Sequence, residues 1–365
     1  MPHPKTRAYF FGFSRWKRSQ TKKFFPEYTK EQIDFCGSLD EALKKGMTSK
    51  SHLYIWGKKP FEEVEHWAQE SGALLSRIED GFVRSVSLGS DLTKAYSLVV
   101  DSRGIYFDPT QESDLEHILN TYTFDEPLLA RARALQSYLV EKKISKYNIH
   151  QDKTLTLPNH TPSQKVLLVP GQVEDDASIR YGAKGMSNLE LLKKSRESAP
   201  DGYIIYKPHP DVLAGNRKGH IEPKEALKYC DTIITDASLD SVLACCDEVH
   251  TMTSLVGLEA LIRKKRVYTY GLPFYAGWGL TTDASICHRR TAKCSLDALV
   301  AATYILYPRY IDPLTNLPCE LETTLTNIEV TKKRYNNDTI FRWRLQGRNF
   351  ISRKVQLLIK VILGE

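Results

Sequence analysis

From Lys165 to Tyr270 the chain alternates short apolar runs with helical stretches, and this alternation restricts the fold more than any other feature. Strands are expected at Lys165–Val169, Gly202–Tyr206, Thr232–Thr235, Glu248–Met252 and Arg266–Tyr270. Helices are expected at Asn188–Ser195, Leu239–Cys245 and Leu255–Arg263. Strand and helix in strict succession give a parallel, doubly wound sheet.

The N-terminal part repeats the pattern. Ala8–Phe13, Leu53–Trp56 and Leu74–Ile78 read as strands, and Ser38–Lys45 and Phe61–Ser71 as helices. Ser97–Val100 and Gly104–Phe107 read as strands flanking a tight turn, followed by helical periodicity over Asp114–Asn120 and Leu128–Lys143. A chain of 365 residues exceeds one ordinary core. The polar stretch 151–164 is the expected linker between an α/β domain at 1–150 and a second at 165–310. A helical extension is expected at 311–365. The fold class is therefore α/β, two Rossmann-type domains with a central cleft.

Two strand ends carry the chemistry. The run ending at Val169 opens into Gly171–Asp176, with Glu174, Asp175 and Asp176 in a turn. The run ending at Tyr206 presents Lys207 and His209 between two prolines. Open α/β sheets bind ligands beyond the carboxyl ends of their strands. Three successive carboxylates repel one another more than helix capping requires, which favours a functional carboxylate. A histidine held between prolines beside a lysine suits a phosphate. Helix starts also bind phosphate, and Thr253 and Ser254 stand before one. Glu259 lies one turn in, where a helix-surface charge is the simpler reading. The loop Tyr270–Leu280, with three glycines and four aromatics, fits either ligand contact or close packing. In the N-terminal half, Glu79 and Arg84 follow a strand, as an acid that activates a hydroxyl and an arginine that binds a carboxylate.

Composition narrows the classes. There is no run of about 18 apolar residues to span a membrane. Seven cysteines at irregular spacing match neither a disulfide framework nor a zinc site, and fit reduced thiols in a cytoplasmic enzyme. The net charge of +7 sits in the tail, where residues 331–365 hold nine Lys/Arg against two acids. That tail reads as a basic amphipathic helix suited to an anionic inner-membrane surface or a partner helix; without a basic stripe elsewhere, nucleic acid is not expected.

The stretches GFSRWKR, IEDGFVRS, SLVVDSRGIYFD, ISKYN, VPGQVEDDASI, YKPHPDVLAGNRKG, CDEVHTMTSLVGLEALI and YGLPFYAGWGLT run in order from Gly12 to Thr281. As a set they resemble the capsule polysaccharide β-Kdo transferases of the KpsC/LipA type. The resemblance implies a GT-B-type fold, CMP-β-Kdo as donor, no metal or other cofactor, and a retained β linkage. It implies a Kdo-bearing glycolipid acceptor, in which poly-Kdo is built on a phosphatidylglycerol-type lipid. Asp176 is the implied nucleophile and His209 the donor-phosphate contact, with Glu79 as acid/base partner. Gln172, Lys207, Ser254, Gly257 and Glu259 complete the implied donor set, and Arg15, Lys17 and Arg84 the acceptor set. Leu258 stands where the family pattern has an aromatic. Members carry two such modules; this chain resembles the second, which makes a partner module an expectation. A non-catalytic polysaccharide-binding or export-coupling module is the competing reading. A transferase of another CMP-sugar, of the sialyl type, is a third.

Overall fold

A computed structural model describes residues 6–83, 95–144, 155–215, 217–312 and 314–339. Arg84, the basic tail from 340 and the start of the expected linker lie outside them. The strands are, in chain order, β1 (Ala8–Phe11), β2 (Ile33–Cys36), β3 (His52–Trp56), β4 (Leu74–Asp80), β5 (Ser97–Asp101), β6 (Val166–Pro170) and β7 (Tyr203–Lys207). They continue as β8 (Thr232–Ile233), β9 (Glu248–Thr251), β10 (Arg266–Thr269), β11 (Thr282–Asp283), β12 (Pro308–Ile311) and β13 (Pro318–Cys319).

The α/β class holds, and the chain forms two compact units. The first comprises 1–102, 146–149 and 304–365; the second comprises 103–145 and 150–303. These limits differ from boundaries drawn at 150 and 310. The helices Asp114–Thr121 and Glu126–Glu141 belong to the second unit, and the chain re-enters the first after residue 303. Strand alternation along a chain does not encode such a return.

The first unit holds a seven-stranded sheet in the order β13-β12-β5-β4-β3-β1-β2. Strands β1 to β4 run parallel, whereas β5, β12 and β13 are antiparallel additions at one side. All four residues of β1, Ala-Tyr-Phe-Phe, are buried. Ala8 and Phe10 pack into one core with Phe25, Tyr54 and Ile78, while Tyr9 and Phe11 pack into another with Leu53, Ile55 and Val64. Apolar residues on both faces mark a strand covered on both sides. The segment Gly104–Phe107 is not a strand. It turns back, with the Asp108 N–H donating to the Ile105 carbonyl at 2.9 Å. A Cβ on Gly104 would lie 2.6 Å from the Glu112 carbonyl oxygen.

The second unit holds a six-stranded sheet in the order β11-β10-β9-β6-β7-β8, with every pair parallel. The chain lays β7 and β8 on one side of β6, then crosses to place β9, β10 and β11 on the other. Strands β6 and β9 therefore flank the topological switch point. The five residues of β6 and of β7 are all buried. Leu167, Val169, Ile204 and Tyr206 pack against Leu191 and Leu192 of the helix Asn188–Ser198. That helix opens with a reciprocal capping box between Ser187 and Glu190.

Candidate functional site at the switch point of the second unit

The loops after β6, β7 and β9 meet at the carboxyl edge of the sheet. Gly171 permits the first approach, because a Cβ there would lie 3.1 Å from Pro208 Cα and 3.2 Å from the His209 nitrogen. Its N–H donates to the Lys207 carbonyl at 2.8 Å. Gln172 makes the second approach. Its Oε1 accepts from Thr253 N–H at 3.0 Å and from the Thr251 hydroxyl at 3.3 Å, and its Nε2 donates to Thr253 Oγ1 at 3.0 Å.

Each of the three carboxylates has its own local partner, so mutual repulsion is no argument for a functional role. Glu174 accepts from the backbone N–H of Asn188 at 2.7 Å. Asp175 is exposed and pairs with Arg217 at 3.2 Å. Asp176 caps the helix Ala177–Gly182, its Oδ1 accepting from Ser178 N–H at 2.9 Å and from the Ser178 hydroxyl at 2.8 Å. Both bonds fall on one oxygen and fix the carboxylate plane, which orients Oδ2.

Lys207 is buried at the end of β7, and its ammonium donates to the Ala237 carbonyl at 2.8 Å. Burial pulls its pKa down to about 8, opposed by the charge of Asp236. His209 caps the short helix Pro210–Leu213: Nδ1 accepts from Asp211 N–H at 3.1 Å. In the neutral ring that bond assigns the proton to Nε2.

On the β9 side, the helix runs Val256–Ile262, and Ser254 Oγ accepts from Val256 N–H at 3.2 Å. A Cβ on Gly257 would lie 2.2 Å from the hydroxyl of Tyr275, which itself donates to the Ser254 carbonyl at 2.5 Å. Glu259 is 5 % exposed, so it is a buried carboxylate and not a helix-surface charge. The glycine- and aromatic-rich loop is chiefly packing: Tyr275, Ala276 and Trp278 are buried, and Trp278 Nε1 donates to the Phe274 carbonyl at 2.8 Å.

Gln172, Asp176, Lys207, His209, Ser254, Gly257 and Glu259 thus share one edge of one sheet. Glu79, Arg15 and Lys17 lie in the first unit, and Arg84 outside the described residues. Lys17 stands 3.4 Å over the Trp56 ring and 3.7 Å from Asp80, while Arg15 is exposed. Glu79 is half-buried and accepts from Asp80 N–H at 2.9 Å. Sequence reasoning missed Asn188 and Tyr275, whose partners are distant in the chain. Among the described residues no group of three or more His, Cys, Asp or Glu is placed to hold a metal ion. No described helix is long and apolar enough to cross a membrane. None of the seven cysteines is bridged.

These features define an α/β protein of two parallel-rich sheets, with strand-end loops bearing charged side chains at the switch point of the second. A family profile described as capsule polysaccharide biosynthesis protein matches residues 52–310. The LipA capsule polysaccharide modification protein of Neisseria meningitidis serogroup A is 45% identical over 316 residues, which are 86% of this chain and 44% of that protein. The lipopolysaccharide-processing protein LpsZ of Rhizobium meliloti is 39% identical over 88% of this chain and 74% of its own. Two KpsC structures from Thermosulfurimonas dismutans superpose. The β-Kdo 2,7 transferase has a TM-score of 0.73 at 37% identity, covering 89% of this chain and 99% of that one. The β-Kdo 2,4 transferase has a TM-score of 0.75 at 29% identity, covering 90% and 98%. The chain belongs to the capsule polysaccharide biosynthesis proteins of the KpsC/LipA type, and it spans less than half the length of the LipA relatives.

Proposed function

We propose that the chain is a retaining β-Kdo transferase that moves Kdo from CMP-β-Kdo to a Kdo-bearing glycolipid. The observation that carries this reading is 37% identity, over nearly the full length of both chains, to a structure described as a β-Kdo 2,7 transferase. The lower identity to the 2,4 transferase, 29%, makes a 2,7 linkage the expected product.

The chemistry assigned to these strand-end loops is double displacement. Asp176 Oδ2 attacks the anomeric carbon as the bond to the CMP phosphate oxygen breaks, and CMP leaves with the electron pair. The acceptor hydroxyl then displaces the carboxylate, and two inversions give retention. His209 and the cationic Lys207 stabilise the charge that develops on the leaving phosphate. Ser254, Gly257 and Glu259 are assigned to the nucleotide. Glu79, Arg15, Lys17 and Arg84 are assigned to the acceptor, with Glu79 taking the acceptor proton. No metal or other cofactor enters the scheme. The basic tail is assigned to an anionic inner-membrane surface, a second transferase module is the expected protein partner, and the site of action is cytoplasmic.

The test is mass spectrometry of an acceptor incubated with CMP-Kdo generated in situ, with wild type beside Asp176→Asn. Asparagine caps helices as well as aspartate does, so this variant removes the nucleophile and keeps the cap. Wild type should extend the acceptor and form a Kdo–protein adduct under single turnover, and the variant should do neither. An active Asp176→Asn protein without an adduct would sink the mechanism. Saturable glycan binding without transfer by wild type would favour the binding-module reading.

A further inference from the structure

We propose that Asn188 and Gln172 form a two-amide clamp that sets the relative positions of the three strand-end loops, and that both are positioning residues. Asn188 is 1 % exposed and sits at the first position of its helix. Its Oδ1 accepts from Gln172 N–H at 2.8 Å, and its Nδ2 donates to the Gln172 carbonyl at 2.8 Å. The side-chain amide thus pairs with Gln172 as a neighbouring strand would, closing a two-bond ring just where β6 has run out of partners. The same Nδ2 donates to the Gly219 carbonyl at 2.9 Å, which ties in the part of the β7–β8 connection beyond the helix Pro210–Leu213. Gly219 has φ +124°, and a Cβ there would lie 2.7 Å from both Asn188 Nδ2 and the Gln172 oxygen. Only glycine admits that close approach.

Gln172 carries the clamp onward. Its side-chain amide spends both ends on Thr251 and Thr253, in the loop after β9. At 6 % exposure, with its oxygen accepting from Thr251 and Thr253 and one of its two N–H bonds given to Thr253, the amide joins two loops. That reassigns Gln172, which the family resemblance places among the donor contacts. Asp176 lies four residues beyond Gln172, and the segment between them is held at Glu174 by Asn188 N–H and by the Lys218 carbonyl, 3.1 Å from Glu174 N. A chain of paired buried polar groups therefore runs from the β7–β8 connection to the β9 loop through two side-chain amides. An error of an ångström in the placement of a reacting group costs roughly 100-fold in rate.

The kinetic consequence rests on the proposed transferase function; the structural one does not. The experiment therefore pairs hydrogen-exchange mass spectrometry of the full chain with the Kdo-transfer assay. It compares wild type with Asn188→Ala, Gln172→Met and Gln172→Glu. Asn188→Ala should speed exchange at least about tenfold in 171–176 and 217–219, which its amide joins, and Gln172→Met in 171–176 and 251–254, since Asn188 binds only the backbone of residue 172. Per folded molecule, kcat should fall about 100-fold while KM for CMP-Kdo stays within about threefold. Gln172→Glu keeps an acceptor for Thr253 N–H and for both threonine hydroxyls, so it should restore protection of the β9 loop. Faster exchange confined to one loop would overturn the clamp. So would a raised donor KM in Gln172→Met with wild-type protection, because that is the signature of a ligand contact. Lower melting temperature with unchanged kcat per folded molecule would reduce both residues to a structural role. Should Asn188→Ala fail to fold, the two Gln172 variants decide alone. Should wild type transfer no Kdo, the enzymatic reading falls and exchange still decides the clamp.

Discussion

His250, in the centre of β9, makes the second unit sensitive to acid in a calculable way. It is 2 % exposed, with Nδ1 3.1 Å from the Tyr270 hydroxyl and Nε2 3.8 Å from Glu248. Burial lowers its pKa to about 4, against the opposing charge of Glu248, which is itself shared with Lys165 and Arg266. The folded state thus resists a proton that the unfolded chain accepts near pH 6.5. The stability it withholds is fully present above pH 6.5 and is lost as pH falls toward 4. The full difference is about 3 kcal/mol, of which about 1 is gone at pH 6 and about 2 at pH 5. The assay is urea denaturation at several pH values between 7.5 and 4.5, comparing wild type with His250→Phe. Phenylalanine gives up the Tyr270 bond, a loss of about 1 kcal/mol that does not vary with pH in this range. Wild type should therefore lose about 2 kcal/mol relative to the variant between pH 7.5 and pH 5, starting about 1 kcal/mol above it and crossing below it on the way. Parallel curves would refute the assignment, and a wild type that gains stability relative to the variant on acidification would reverse its sign.

Three further outcomes follow from the second unit. Gly257→Ala should cost about 1–3 kcal/mol, since its methyl occupies the Tyr275 hydroxyl position; an unchanged denaturation midpoint would count against the packing described. Glu116→Gln should destabilise by about 3–5 kcal/mol in calorimetry, because it leaves Arg290, 3.0 Å from Glu116 and 2 % exposed at its side chain, as a buried cation without its carboxylate. Lys207, with its pKa depressed to about 8, loses its charge as pH rises through that value, while the cost of burying the ammonium fades between pH 8 and about 10.5. A Lys207→Arg protein should retain kcat/KM for CMP-Kdo above pH 8 where wild type declines; coincident profiles would remove the lysine cation from the proposed mechanism.

The local elements were largely readable because their signals are local. Buried parallel strands such as β6 and β7 are continuous apolar runs, and the helix Asn188–Ser198 announces itself by the Ser187–Glu190 capping box. Strand β2, Ile-Asp-Phe-Cys, escaped notice because half of it is only partly buried. Strand β12 escaped because its partner β5 lies some 200 residues earlier, and no local pattern marks that pairing. The site was readable as a set of strand-end loops, and Gln172, Lys207, His209 and Ser254 do share one sheet edge. Their internal wiring was not: Asn188 looks like an ordinary helix-start residue until its amide is seen against Gln172 and Gly219. Likewise, three adjacent acids reveal nothing of the separate N–H, guanidinium and cap that each one serves.

The return of the chain to its first unit has a consequence for synthesis. Strand β5 has β4 on one side and β12 on the other, and β12 is made only after the whole of 103–303 has emerged. Until then the buried Leu98-Val99 stretch of β5 borders an open edge with unpaired N–H and carbonyl groups. The second unit can close on itself during this interval, since its last residue precedes β12. A nascent chain stalled near residue 303 would thus combine a finished second unit with a first unit ready to pair with any strand that reached it. Ribosome spacing over that stretch, rather than the stability of either unit, would then govern how much of the protein escapes aggregation.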